Sequence, residues 1–175
     1  DGSLSIAGCT SSLCQIPPTP SGAAWSKIAA GEHHCAAVAT DGHIRCWGEN
    51  QFGQVGVPWR TTGAAFAQIA AADNHAVARL ADGSVLAWGD DSSGRLNVPA
   101  LPVGGAQQIP TGPDYTLALT AAGNVVGWGP MRFNQANLPP TSSPMVEIDA
   151  GATFILGRRL DGTIAFRGDC GQGQC

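Results

Sequence analysis

Cysteine is the residue type in this sequence that could take part in the widest range of chemistry. The six cysteines fall into three close pairs. The pairs are Cys9 with Cys14, Cys35 with Cys46, and Cys170 with Cys175. A structural zinc site usually shows Cys-x-x-Cys or His/Cys pairs at ligand spacing, and neither pattern occurs here. Local pairs in an even number favour disulfides formed in an oxidising compartment over a metal site or free thiols. We therefore expect three short-range disulfides and an extracellular (secreted) or cell-surface protein.

The histidines are candidate bases or metal ligands, but their positions favour packing. His34 and His75 occupy one position of an internal repeat, and Tyr115 and Phe154 fill the same position in other copies. A position that accepts histidine, tyrosine and phenylalanine is usually filling space. The other two histidines are expected on the surface.

The acidic residues and short motifs give no catalytic centre. Asp90 and Asp91 could suggest calcium, but the EF-hand pattern is absent and an acidic turn is the simpler interpretation. No serine-hydrolase, zinc-protease or phosphate-loop motif occurs. Carboxylates fall at predicted turns rather than in a common pocket. The sequence therefore predicts a non-enzyme without catalytic residues, cofactor or metal.

Composition narrows the class of partner. The net charge is −4, and Lys27 is the single lysine. A surface that binds nucleic acid needs a concentrated basic face, so a nucleic-acid partner is not expected. No apolar stretch approaches the roughly 18–20 residues that cross a bilayer, so membrane insertion is not expected either. The start at Asp1 suggests a processed N-terminus or an excised fragment.

The elements that would position any site come from an internal repeat. Residues 28–48, 69–89, 109–129 and 148–168 align without gaps, at offsets of 41, 40 and 39 residues, and residues 1–8 match the second half of a copy. One repeat domain over 1–175 follows, with a half unit and linker at 1–27. The predicted repeats are 28–68, 69–108 and 109–147, with an incomplete copy at 148–175.

Each repeat is predicted to be a set of β-strands. Asp-Gly between apolar runs is a strong hairpin signal, and the recurring glycines and prolines disfavour a helix. Such a hairpin would bring Cys35 and Cys46 nearly opposite each other, which agrees with a disulfide between them. A period of about 40 residues with four strands is typical of propeller blades. The fold class predicted is therefore all-β, a complete or partial β-propeller of four-stranded antiparallel blades stapled by disulfides, with the repeated tryptophans packed between blades.

The stretch from Ala29 to Pro58 carries the pattern Ala-Ala-Gly-x-x-His, then Asp-Gly, Trp-Gly-x-Asn, Gly-Gln-x-Gly and Val-Pro. It resembles the regulator-of-chromosome-condensation repeat, and the short period is similar to the bacterial branch that includes the type II β-lactamase inhibitory protein. The resemblance implies a propeller, typically of seven blades, that binds another protein through loops on one face. The chain departs from it by having about four and a half units, by Ala122 in place of Asp and by Arg167 in place of Trp. We therefore expect a second copy, another chain or further sequence to complete the ring.

The function predicted is a secreted, non-catalytic module that binds a protein partner through one face of loops. Aromatic and arginine side chains dominate binding energy at interfaces, and turn residues would surround them. The residues predicted to bind the partner are His33, Phe52, Trp59, Asn74, Asp90, Asp91, Asp114, Arg132 and Phe133. One alternative is a structural building block of an extracellular assembly. The other is a carbohydrate-binding propeller, although loop residues that differ between repeats do not favour it.

Overall fold

The structure is a computed structural model of the 175-residue chain. It describes residue 4 and residues 15–59, 63–132, 134–136, 138, 143–169, 171 and 173. Among these residues, no helix has the length and apolar character needed to span a membrane. The strands are β1 (Trp25–Ala30), β2 (His34–Ala39), β3 (Ile44–Gly48), β4 (Phe66–Ala71), β5 (His75–Leu80), β6 (Val85–Gly89), β7 (Ala106–Gln108), β8 (Thr116–Thr120), β9 (Val125–Trp128), β10 (Met145–Ala150), β11 (Phe154–Arg159) and β12 (Ile164–Gly168).

The strands form four antiparallel sheets, each made of three strands that are consecutive in the chain. We number them sheet 1 (β1–β3), sheet 2 (β4–β6), sheet 3 (β7–β9) and sheet 4 (β10–β12). Their first strands begin at Trp25, Phe66, Ala106 and Met145, which are spaced by 41, 40 and 39 residues. The spacing of the sheets is therefore the spacing of the sequence repeats, and the all-β prediction is confirmed.

The prediction of four strands per unit is not met within the described residues, where each sheet has three. Between the Trp-Gly pair of one sheet and the first strand of the next, the chain passes through Val57-Pro58 or Val98-Pro99. Proline has no N–H to give to a ladder. Val57 and Val98 instead donate to carbonyls two residues earlier, at 3.1 and 2.8 Å. The segment therefore forms turns and extended chain rather than a paired strand.

Each sheet closes its second hairpin in the way that the Asp-Gly pairs predict. Gly42 has a φ of +78°, a conformation that glycine adopts without steric cost. The carboxylate of Asp41 accepts the N–H of His43 at 2.9 Å, an Asx turn. In sheet 3, where alanine replaces this aspartate, the hydroxyl of Thr120 accepts the N–H of Asn124 at 3.2 Å instead. The missing aspartate is thus compensated locally.

Neighbouring sheets pack face to face and share continuous apolar cores. Val38 and Ile44 of sheet 1 lie in one buried cluster with Phe66 and Ile69 of sheet 2. Corresponding clusters join sheet 2 to sheet 3 and sheet 3 to sheet 4. Backbone bonds reinforce each seam, because the first strand of each following sheet donates to the carbonyl of the preceding hairpin glycine, as Ala106 does to Gly83 at 2.8 Å. The chain is therefore an arc of stacked sheets.

The predicted Cys35–Cys46 disulfide is wrong, because the hairpin register separates the two thiols. The strands pair symmetrically about Asp41, so that Cys35 lies opposite Trp47 and Cys46 lies opposite Ala36. The offset of one residue sends the two side chains to opposite faces of the sheet. Both cysteines are free thiols, and burial is the main cause that raises the pKa of Cys46 to about 12. The other cysteine pairs, Cys9 with Cys14 and Cys170 with Cys175, lie outside the described residues.

Candidate functional site

The turn after the first strand of each sheet lies beside the loop that follows the third strand. Backbone bonds hold these segments together: Glu49 donates to the carbonyl of His33 at 2.8 Å, and Asp90 donates to that of Asn74 at 2.9 Å. We call this end of the arc the loop face. It comprises the turns 31–33, 72–74, 112–114 and 151–153 and the loops 49–54, 90–95, 130–132 and 169. The opposite end, formed by the hairpins 40–43, 81–84, 121–124 and 160–163, is called the hairpin end.

The glycine of the Trp-Gly pair permits this close approach. Gly48 and Gly89 both have a φ of +112°, where side chains are strained. A Cβ at Gly48 would lie 2.5 Å from the carbonyl oxygen of His33, and one at Gly89 would lie 2.4 Å from that of Asn74. Glycine at this position therefore lets the loop lie against the turn, and so builds the loop face.

The four turns converge on one depression. A pocket of about 260 Å³ is lined by equivalent residues of all four repeats, among them Gly31, Ala72, Gly112 and Gly151. A second pocket of about 410 Å³ is lined by the first strands of sheets 2, 3 and 4 together with the adjoining residues 109 and 110. The first strand of each sheet is thus the innermost, and the turns surround the mouth of the concave side of the arc.

Aromatic rings lie beneath the turns, as the sequence predicts for the position shared by His34 and Tyr115. His34 and His75 are 2% and 0% exposed. The Tyr115 hydroxyl lies 2.7 Å from the carbonyl oxygen of Gly151 in the next sheet, to which it donates. His75 Nε2 lies 3.2 Å from the Thr116 hydroxyl of the next sheet. Burial lowers the pKa of both histidines, to about 4 for His75.

Arg95 is the charged centre of the loop face, and the sequence analysis missed it. Its guanidinium donates to the carboxylates of Asp90, in its own loop, and of Asp114, in the turn of sheet 3. Its carbonyl accepts the indole N–H of Trp128 at 3.0 Å. The position corresponds to Gln54, which is fully buried and whose carbonyl accepts the indole N–H of Trp88. An arginine at a position that holds glutamine in another repeat was the available signal.

The carboxylates around Arg95 differ in their electrostatics. Burial, with Glu32 and Asp114 nearby, raises the pKa of Asp73. The N–H of Ser92 is the first of the groups that lower the pKa of Asp90. Asp91 has a structural part, since its carboxylate accepts the N–H of Leu96 at 3.2 Å. Among the described residues, no group of three or more histidines, cysteines or carboxylates is arranged to hold a metal ion.

The structure brings most of the predicted binding residues together on the loop face. These are His33, Phe52, Asn74, Asp90, Asp91, Asp114 and Arg132. Trp59 is not among them: it is 92% exposed and lies in a groove near the hairpin end, with His43 and Phe66. The chain turns back after the loop face, and this carries Trp59 toward the start of β4. Phe133 lies outside the described residues.

Known proteins share both the repeat and the fold. Residues 25–54 and 66–95 match the regulator of chromosome condensation (RCC1) repeat. A 38-residue stretch is 45% identical to the X-linked retinitis pigmentosa GTPase regulator homolog of Caenorhabditis elegans, over 22% of this chain and 3% of that protein. Prp20p of Saccharomyces cerevisiae has a similar structure, with a TM-score of 0.68 and 21% identity, over 84% of this chain and 44% of that one. The CRINKLY WD40 ectodomain of the Arabidopsis thaliana receptor kinase ACR4 also has a TM-score of 0.68, with 22% identity, over 86% of this chain and 55% of that one.

These comparisons define the class. The chain is an all-β repeat protein with the fold of RCC1-like β-propellers, and two of its four repeats match the RCC1 repeat. It spans about half the length of those two solved propellers and a small fraction of the nematode protein. The resemblance noted in the sequence is therefore confirmed at the level of the repeat.

Proposed function

We propose that this chain is a non-catalytic module that binds a protein partner through its loop face. The observation that carries the proposal is that four chemically different turns surround one depression. Their tips are Glu32-His33, Asp73-Asn74, Pro113-Asp114 and Ala152-Thr153. Repeated binding of one small ligand would favour repeated side chains, whereas a protein surface is asymmetric and matches a varied set.

Exposed anchors lie beside these turns. Phe52 is 48% exposed at the tip of its loop, and Arg132 is exposed in the equivalent loop of sheet 3. Aromatic and arginine side chains contribute most at interfaces when a partner excludes water from them. The ion pair of Arg95 with Asp114 joins the loop of sheet 2 to the turn of sheet 3, so little order has to be gained there on binding.

The charge of the loop face favours a basic partner surface. Two arginines, Arg95 and Arg132, face a larger number of carboxylates in the described part of this surface. The carboxylates are those of Glu32, Glu49, Asp73, Asp90, Asp91, Asp114 and Asp169. Complementary charge speeds association and weakens with salt. Binding through this face should therefore be faster at low ionic strength.

Relatives with this fold support a binding function. The description of Prp20p reports binding properties toward Gsp1p and histones, and yeast RCC1 (Prp20) has been crystallised bound to Kap60. These partners belong to those proteins. They show that the fold is used to bind proteins, and our proposal extends that use to this chain.

The test compares the two ends of the arc. The native, non-reduced protein is used to capture partners, alongside the double variant Phe52→Ala/Arg132→Ala and the control Trp59→Ala, which alters an exposed aromatic near the hairpin end. A protein retained by wild type and by the control but lost from the double variant supports the proposal. If the double variant kept the partner and Trp59→Ala lost it, the partner would bind near the hairpin end instead. Binding to a glycan array without a protein partner would favour a lectin.

An extracellular location is part of the proposal. It depends on the two cysteine pairs near the ends of the chain, since Cys35 and Cys46 are free thiols. Disulfides persist in oxidising compartments and are rare in the cytosol. The oxidation state of those four cysteines in protein isolated from its natural source tests the location directly.

A further inference from the structure

Sheet 4 has one buried face and one open face. Along β11, Ile155, Gly157 and Arg159 are buried, whereas Leu156 and Arg158 are exposed. Alternating burial of this kind marks a strand that is covered on one side only. The central strands of sheets 2 and 3 differ, because β5 and β8 are buried at nearly every position. The open face of sheet 4 is therefore the counterpart of faces that are covered elsewhere in the arc.

The open face consists of apolar residues at positions that pack against the next sheet in the rest of the protein. Leu156 is 42% exposed, whereas Val77 and Leu117 at the equivalent position are fully buried. Ile164 and Phe166 of β12 are 61% and 45% exposed on the same face. Large apolar side chains clustered on one exposed face usually mark an interaction site.

The complementary half of such a seam is open around Ile28, at the other end of the arc. Ile28 of sheet 1 is 68% exposed, whereas its equivalents Ile69, Ile109 and Ile148 are 6%, 0% and 6% exposed. Each of those three isoleucines packs against the preceding sheet. One copy of the chain thus presents both halves of the seam that joins its own sheets, and they lie at opposite ends.

We propose that the open face of sheet 4 docks onto sheet 1 of a second copy of this chain, with Leu156 of one copy against Ile28 of the other. Since each copy carries both halves, two head-to-tail contacts close a symmetric pair. The lengths agree, because one copy spans 44% and 55% of two single-chain propellers of this fold. Two copies therefore match the length of one such propeller.

The face of sheet 1 that would receive sheet 4 of the second copy is partly occupied in its outer part. Leu4 packs there against the cluster of Trp25, Ala37 and Ala39, whose alanines are buried. Leu4 holds the repeat position that Ile164 holds in sheet 4. The inner part, at Ile28, is the part that stays open. The contact between Leu156 and Ile28 is therefore the centre of the proposed interface, and Ile164 of the second copy competes with Leu4 at its edge.

Light scattering on a concentration series tests the pair. Wild type is expected to reach twice the monomer mass of 17.8 kDa. The variants Leu156→Asp and Ile28→Asp should each weaken the dimer by about 30-fold or more, since a charge is placed at the centre of an apolar contact. The control Val103→Asp changes an exposed apolar residue in the loop before β7, and it should dimerise like wild type. A monomeric wild type at all concentrations overturns the proposal.

Mixing the two variants tests the head-to-tail geometry. Leu156→Asp keeps an intact Ile28 face, and Ile28→Asp keeps an intact Leu156 face, so an equimolar mixture regains one complete seam. The mixture should form a heterodimer although neither variant dimerises well alone. If Leu156→Asp lost association while Ile28→Asp dimerised like wild type, the pair would form between the open faces of two copies of sheet 4. That result would overturn the proposal. Loop-face variants should dimerise normally, which separates this inference from the proposed binding function.

Discussion

Arg95, which follows β6, donates its guanidinium N–H to the carboxylate of Asp114, which precedes β8. The two residues belong to adjacent repeats, so their ion pair fixes the loop of sheet 2 against the turn of sheet 3. The guanidinium of Arg95 also pairs with Asp90, and the carbonyl of Arg95 accepts the Trp128 indole N–H. Three contacts therefore hold this loop in place. The surface that we propose binds a partner is therefore built on contacts between repeats.

The variant Arg95→Gln should lower the free energy of unfolding by about 1–2 kcal/mol, because two charge-assisted hydrogen bonds are lost and one of their partners is partly exposed. Glutamine fits the position, as Gln54 and Gln135 do in other repeats. Urea unfolding measures the loss. Arg132→Gln, an exposed arginine on the same face, is the matched control and should change stability by less than about 0.5 kcal/mol. Equal effects of the two variants would show that the ion pairs of Arg95 contribute nothing.

Stability should fall in mild acid because of His75. Its folded pKa, about 4, lies below the ordinary value of 6.5, so the unfolded chain takes up the proton first as the pH falls. The stabilisation is present above pH 6.5 and is lost as the pH falls toward 4, by about 3 kcal/mol in all.

The comparison of His75→Phe with wild type isolates this effect. Phenylalanine fills the equivalent position at Phe154, and the variant should lose most of the slope of unfolding free energy between pH 6.5 and 4. Part of the slope should remain, because burial also lowers the pKa of His34. The matched control is His43→Asn on an exposed hairpin. An unchanged slope in His75→Phe would contradict the assignment.

The repeated tryptophans should stabilise the seams between sheets. Trp128→Phe removes the indole N–H that reaches the Arg95 carbonyl at 3.0 Å, and should cost about 1–3 kcal/mol in unfolding free energy through the lost hydrogen bond and the smaller ring. Trp59→Phe, at a position that is 92% exposed, should cost less than about 0.5 kcal/mol. If both substitutions changed the unfolding free energy by the same small amount, the assignment of a structural role to Trp128 would be wrong.

Thiol labelling should find two free cysteines. Protein denatured without reductant and alkylated should carry labels at Cys35 and Cys46, which the structure shows as free thiols, and the four remaining cysteines should stay unlabelled if they form the disulfides expected from the sequence. Mass spectrometry of the peptides checks both statements. Unlabelled Cys35 and Cys46 would contradict the register of the β2–β3 hairpin, whereas labels on all six would remove the support for an extracellular location.

Local signals made the repeat predictable. The Asp-Gly hairpins and the Trp-Gly pairs recur at the spacing of the sheets, because each is determined by the backbone within a few residues, as at Gly42 and Gly48. The Cys35–Cys46 prediction failed by a single residue of register. Cys35 lies six residues before Asp41, and Cys46 lies five after it, whereas the strands pair positions equidistant from Asp41.

Contacts between repeats were harder to find. The ion pair of Arg95 with Asp114 joins residues 19 apart in the chain, and no pattern within one repeat predicts it. Trp59 was grouped with the loop residues because it follows the same loop, but the chain has already turned back toward β4 at that point. Most of the residues predicted to bind a partner lie on the loop face, since each turn follows directly from the end of a strand. Their part in binding stays a prediction.

Hydrogen exchange on the complex with the captured partner tests the central claim most directly. The proposed loop face predicts slower exchange in the turns 31–33, 72–74 and 112–114 and in the loops 49–54 and 90–95, with unchanged exchange in the hairpins 40–43 and 81–84. Protection confined to those hairpins, or to the groove around Trp59, would contradict the claim that this protein binds its partner through the loop face.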